Sequence, residues 1–151
     1  MDKFDKAILE TLQRDATLSV AEIADRISLS KTACWRRIQK LESEGVVKSR
    51  VALLDPEKLN LSLTVFISIR TNQHNQNWLH EFRQVVSGIA EVLEVYRMSG
   101  ELDYLVRAVV SDMVGFDKLY QELIKADLFD VSSSFVMETI KHTTELPLDN
   151  I

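Results

Sequence analysis

From Asp2 to Arg14, apolar residues recur at Phe4, Ile8, Leu9 and Leu12, the three-and-four spacing that lines one face of an α-helix. "RDATLS" interrupts this rhythm. Ser19, followed three residues later by Glu22, has the form of a capping box, opening a short second helix with Val20, Ile23, Ala24 and Ile27 on its apolar side. "SLS" breaks that helix in turn. Ser30 is the next N-cap, and a third helix is predicted to run to about Glu44, with Cys34, Ile38 and Leu41 inward and Gly45 as a left-handed C-cap. Beyond Gly45 the period changes: "VVKSRVALL" is β-branched and roughly alternating, which predicts a strand or hairpin. Three helices and a small β element describe a winged helix-turn-helix. It is predicted over residues 1–50, with 51–61 as wing and linker and Pro56 where a connecting helix can start.

Residues 62–151 follow another rhythm. "LTVFISIRT" reads as a buried-type strand, and "NQHNQNWLHEFRQVVSG" as a loop passing into a helix with Trp78, Phe82 and Val85/Val86 inward. "AEVLEVYRM" and "LDYLVRAVVS" are strands joined by the turn "SGE"; "DMVGFDKLYQELIKAD" is a helix capped by Asp112, and "VSSSFVMETIK" a last strand. The order β-α-β-β-α-β is that of a ferredoxin-like domain, a four-stranded antiparallel sheet with two helices on one face, so the chain as a whole is α+β. Such a sheet leaves its other face uncovered. A second copy is the usual physical solution, and a homodimer through this domain is predicted.

Composition narrows the picture by exclusion. No apolar run approaches the length of a membrane span and the N-terminal stretch is charged, so a cytoplasmic protein is expected. The single cysteine, Cys34, excludes an internal disulfide or a thiolate metal cage within one chain, and is expected to be a small core residue. His74, His80 and His142 are scattered, and no nucleophile elbow or phosphate-cradling glycine loop occurs; neither catalysis, a metal nor a cofactor is expected.

Charge is unevenly spread. The net charge is −5, yet residues 1–60 hold eleven Lys/Arg against ten Asp/Glu, and Lys31 to Arg50 alone hold six basic residues against two acidic ones. A helix that reads the DNA major groove needs its N-terminus at the groove, short polar residues there and flanking cations for phosphates. Ser30, Lys31 and Thr32 supply the first turn, and Arg36 and Lys40 lie one turn apart on the outward side, with Arg36 able to reach a base edge or a phosphate. Lys48 and Arg50 add charge on the wing, and Ser19 joins the same candidate DNA-binding set at the head of the second helix. Arg37, just before the inward Ile38, has two placements open, on DNA or paired with an acidic residue. Of the two open to Trp35, packing between helices and lying against a sugar-phosphate backbone, the first is expected. A sensor module regulating a partner protein would suit the acidic second half but leave the basic third helix without a task.

These parts together resemble the Lrp/AsnC (leucine-responsive/asparagine-activator, or feast/famine) family of prokaryotic transcription regulators. The resemblance rests on "DKFDKAILETLQRDATLSVAEIADRISLSKTACWRRIQKLESEGVV", "VALLDPEKLNL" and "MSGELDYLVRAVVSDMVGFDKL", and spans nearly the whole chain. It implies a sequence-specific regulator, dimeric through its second domain and assembling into tetramers, octamers or hexadecamers, with a small amino acid bound between dimers. It also implies a nucleoid-associated location. The effector would meet the turn Gly100–Tyr104, preceded by Met98 and including Glu101 and Asp103. Asp103 can accept from the ammonium, and Ser132, Ser133 and Ser134 offer hydroxyls where family members often carry threonines. The third helix departs from the family's commoner "TPC" or "TPV" by reading "TAC", a change tolerated in a first helical turn.

Overall fold

The computed structural model describes residues 1–151 as two units, one made of Met1–Leu53 with Lys141–Ile151, the other of Leu54–Ile140. In the first, α1 (Lys3–Arg14), α2 (Val20–Arg26) and α3 (Lys31–Ser43) are each opened by a side-chain cap. The Asp2 carboxylate accepts from the N–H groups of Phe4 and Asp5, and Ser19 and Glu22 form the expected reciprocal box. Ser30 caps α3 through the N–H of Ala33 at 3.2 Å. Ile8, Leu9, Leu12, Ile23, Ala24, Cys34, Ile38 and Leu41 form one buried cluster, as the apolar spacing required.

Gly45, at φ +72°, closes α3 in a Schellman motif: its N–H donates to the Glu42 carbonyl and that of Val46 to the Leu41 carbonyl. This use of the chain explains why the expected wing strand is absent. Residues 46–54 contain no strand; Val46 is consumed by the cap, Val47 packs on the helical cluster, and Val51, Leu53 and Leu54 stand 70–73% exposed with no neighbour to pair with. Alternation makes a strand only where a second strand accepts its hydrogen bonds. After Pro56 comes a single 3₁₀ turn, Glu57–Leu59, rather than a longer linker helix.

The C-terminal end also divides differently from the sequence reading, which ran the second domain to residue 151. Residues 141–151 join the first unit because they lie along α1. The Gln13 side-chain amide donates to the Leu146 carbonyl (3.2 Å) and accepts from its N–H (2.6 Å), Arg14 meets Glu145 at 3.1 Å, Lys6 meets Asp149 at 3.3 Å, and Leu148 packs on the helical cluster.

The second unit comprises β1 (Leu63–Arg70), α4 (Gln76–Ser87), β2 (Val92–Arg97), β3 (Tyr104–Val110), α5 (Met113–Leu123) and β4 (Asp130–Phe135). All strand pairs are antiparallel in the order β2-β3-β1-β4, the ferredoxin-like arrangement. Val65, Ile67 and Ile69 of β1 and Val106, Ala108 and Val110 of β3 are buried beneath the helices. Trp78 stacks on Phe82 at 5.1 Å and donates its indole N–H to the Ala126 carbonyl at 2.8 Å. The last strand stops at Phe135, well short of Lys141, although the Val136 N–H still reaches the Thr64 carbonyl at 2.9 Å. No helix is long and apolar enough to cross a membrane.

Candidate DNA interface and effector site

Inward anchoring of Cys34, Ile38 and Leu41 turns Lys31, Thr32, Trp35, Arg36, Gln39 and Lys40 of α3 outward, all exposed. Their electrostatic situations differ. Lys31, Arg36 and Lys48 make no ion pair. Lys40 sits 3.8 Å from Glu44, a loose pair exposed on both sides, and Arg50 meets Glu42 at 2.7 Å. Arg37 is fully engaged: its guanidinium contacts Asp5 at 2.7 Å and Asp2 at 2.8 Å, and lies over the Phe4 ring at 5.5 Å. The hydrogen bonds that Arg37 donates to Asp5 and then to Asp2 raise its pKa. The pairing alternative for Arg37 is therefore the one observed, and this residue ties α1 to α3 instead of pointing at a polyanion. Asp2, held chiefly by the Asp5 N–H and then by Arg37, has its carboxyl pKa lowered below 3.8.

Ser19 and Ser30 are spent as caps, so each hydroxyl oxygen already accepts a backbone N–H. Trp35 does not pack between helices. It is 52% exposed, because it lies about 100° around the helix from Cys34, at the edge of the buried stripe. Sequence reasoning omitted Gln39, one turn beyond Trp35 and outward, although the helical period was sufficient to find it. Beside α3 an open groove of about 890 Å³ is lined by Met1, Asp2, Asp5, Ala33, Arg36, Arg37 and Lys40.

In the second unit the turn between β2 and β3 holds Gly100 at φ +106°, a conformation that glycine adopts without Cβ strain. Asp103 is built into the fold: its Oδ2 accepts the N–H of buried Thr71 at 2.8 Å, its own N–H donates to the Ile69 carbonyl at 3.0 Å, and its carbonyl accepts from Met98 at 2.8 Å. Tyr104 is equally structural, only 9% exposed, its ring 4.8 Å from Phe82 and 5.7 Å from Trp78. Glu101 is exposed and reaches Arg70 at 3.8 Å; Met98 is 40% exposed.

The three serines do not act as one group. Ser133 pairs with Ile67 on the helix-covered face, whereas Ser132 and Ser134, paired with Ser68 and Phe66, lie on the open face. Strands β1 and β3 intervene between β4 and β2, where the turn begins. Sequence reasoning also missed a cleft of about 200 Å³ between α4 and β2, lined by Leu79, Phe82, Arg83, Val86, Val95, Arg97 and Tyr104. A depression of about 100 Å³ with Gln73, His74 and Trp78 shares its Leu79, Arg97 and Tyr104 walls. Two guanidiniums over an aromatic floor can hold a carboxylate beside an apolar group. Only the fold brings α4 and β2 together. No cluster of three or more His, Cys, Asp or Glu is placed to hold a metal ion.

A three-helix unit with an outward cationic third helix, followed by a ferredoxin-like unit, defines a DNA-binding transcription regulator with a ligand-binding domain. Residues 1–48 match the winged helix-turn-helix DNA-binding family and residues 64–146 the Lrp/AsnC ligand binding domain family. The chain belongs to the Lrp/AsnC family, whose members are transcription regulators and not enzymes. It is 48% identical over 149 residues to the glutamate uptake regulatory protein of Zymomonas mobilis, covering 98% of this chain and 91% of that one. It is 46% identical over 151 residues to the DNA-binding transcriptional activator DecR of Escherichia coli, covering 99% of each. The crystal structure of an AsnC family regulator from Agrobacterium tumefaciens superposes with a TM-score of 0.94 at 55% identity, covering 99% of this chain and 98% of that one. A Neisseria meningitidis transcriptional regulator in complex with L-Met gives 0.92 at 37% identity, covering 99% and 97%.

Proposed function

We propose that the protein binds operator DNA as a homodimer, or an assembly of dimers, presenting α3 of each protomer to phased half-sites, and that a small amino acid bound between dimers adjusts this assembly. The observation that carries the DNA half of this reading is the division of labour on α3: Arg37 is neutralised by two carboxylates while its neighbour Arg36, with Lys31 and Lys48, has no acidic partner. Unpaired cations on a rigid helix, Lys31 and Arg36, with Lys48 just beyond its end, are what a phosphate backbone attracts. Ser19, Ser30, Thr32, Lys40 and Arg50 flank these cations as secondary contacts.

The assembly half is supported by apolar surface with no partner inside the chain. Val51, Leu53 and Leu54 are exposed, as are Phe129 (67%), Met137 (95%) and Ile140 (91%). On β4, Ser132 is paired with Ser68, and β1 separates it from β3, where the Gly100 turn ends, an offset of roughly 10 Å at ordinary strand spacing. An amino acid touching both the Gly100 turn and Ser132 or Ser134 is therefore best shared between copies. The L-Met in the Neisseria relative agrees with an amino-acid effector. The site of action is the cytoplasm, at the nucleoid.

The test is sedimentation of the protein with a fluorescent duplex, with and without each of the twenty amino acids, after a thermal-shift screen for binders. A ligand bound at a hundred times its Kd adds about 2.7 kcal/mol to folded-state stability, enough to read as a raised Tm. The expected result is one or a few amino acids that raise Tm and alter the assembly or its DNA affinity. Unchanged Tm, assembly and DNA affinity with all twenty at millimolar concentration would refute the effector half.

A further inference from the structure

The two tryptophans of the chain are treated oppositely by the fold. Trp78 is 5% exposed, stacked on Phe82, with its N–H bonded to the Ala126 carbonyl. Trp35 is 52% exposed, stacks on no aromatic ring, and its indole N–H has no partner in the molecule. It stands on α3 one turn from Lys31 and one turn from Gln39, adjoining the unpaired Arg36. Tryptophan, a large apolar ring with one polar handle, is enriched where proteins meet a partner.

Resting on the DNA-binding reading above, we propose that Trp35 is a specificity-determining residue that packs against the C5-methyl group of a thymine in each half-site. A helix with side chains is about 10–12 Å across and the major groove about 12 Å wide, so residues at the flank of the outward face lie where the outer base edges meet the groove walls. The base edges offer one apolar group in that groove, the thymine methyl. The cations beside Trp35 supply the attraction to the polyanion that brings the indole there, and they carry no sequence information when they contact phosphate. Trp35 adds the discrimination they lack.

The experiment uses the full chain and a duplex selected by the wild type from a randomised pool, synthesised again with each thymine replaced in turn by deoxyuridine, which lacks only the methyl. Losing one buried methyl contact is expected to weaken wild-type binding about four-fold at one thymine per half-site. Trp35→Ala is expected to bind the thymine and uracil duplexes equally, with an unchanged dependence on salt, because an indole releases no counterion. Trp35→Phe, which keeps an aromatic face, is expected to preserve part of the thymine preference; the Tm of all three proteins checks the fold. The proposal is overturned if no uracil substitution weakens the wild type, or if Trp35→Ala retains the wild-type thymine-to-uracil ratio, as a sugar-phosphate contact would produce. Failure of the wild type to bind any duplex would instead overturn the DNA-binding reading itself.

Discussion

The outward face of α3 and the turn at Gly100–Tyr104 were both marked by sequence as places that meet another molecule, and the fold uses them in contrasting ways. On α3 the core residues are on one side and Lys31 and Arg36 on the other, so the helix can lose its outward side chains without losing its packing. At the turn, Asp103 and Tyr104 serve the fold first, one closing the end of β1 through Thr71 and the other filling the aromatic cluster under α4. Recognition on a helix separates from stability. In a turn that closes a sheet, the candidate effector contacts Asp103 and Tyr104 are also groups that the fold needs.

The sharpest way to break this contrast is Arg36→Ala. It is expected to lower DNA affinity about 5- to 150-fold per half-site, by the 1–3 kcal/mol of a good base or charged contact, with no change in Tm; fluorescence anisotropy and a melting curve measure the two. Next comes Asp103→Ala, which strands the N–H of buried Thr71. A loss of about 1–3 kcal/mol in stability is expected in chemical denaturation, with most of it restored in Asp103→Asn, whose side-chain carbonyl still accepts. Smaller again is Arg37→Ala. The Arg37 side chain is 31% exposed and its partners Asp5 and Asp2 are 14% and 52% exposed, so only about 1 kcal/mol of stability is expected to be lost, and Arg37→Lys is expected to recover only part because one planar fork serves two carboxylates.

The smallest effect is on the acid limb. The Asp2 pKa in the folded protein lies below its ordinary value of 3.8, so the stabilising contribution of this carboxylate is complete above that pH and is lost as pH falls through the folded value. Asp2→Asn is expected to flatten the fall of Tm with acid in that range and to leave the neutral-pH slope alone.

What could be read from sequence was what depends on neighbours in the chain. The Ser19–Glu22 box, the Ser30 cap, the left-handed Gly45 and the alternation of strands flanking α4 and α5 are all local, and each was legible. The wing strand misled because alternation in "VVKSRVALL" describes half of a pairing whose other half this chain does not supply. Trp35 misled because it lies at the margin of an apolar stripe, where a periodicity argument is weakest. The pairing of Arg37 with Asp2 and Asp5 joins positions 35 and 32 residues apart, and the Gln13 clamp on Leu146 spans 133; neither has a local signature. The serines of β4 looked like one cluster in sequence, yet period two sends Ser133 to the face opposite Ser132 and Ser134.

The central claim is that adjacent arginines on α3 divide recognition from structure, and the slope of log affinity against log salt tests it most directly. Each phosphate contact contributes about −0.9 to that slope on duplex DNA. With Arg36 of each protomer on a phosphate, Arg36→Ala is predicted to make the slope shallower by about 0.9 per half-site, about 1.8 for a dimer on two half-sites, while Arg37→Ala leaves it as in the wild type. Equal changes for the two variants, or a change confined to Arg37→Ala, would contradict the account.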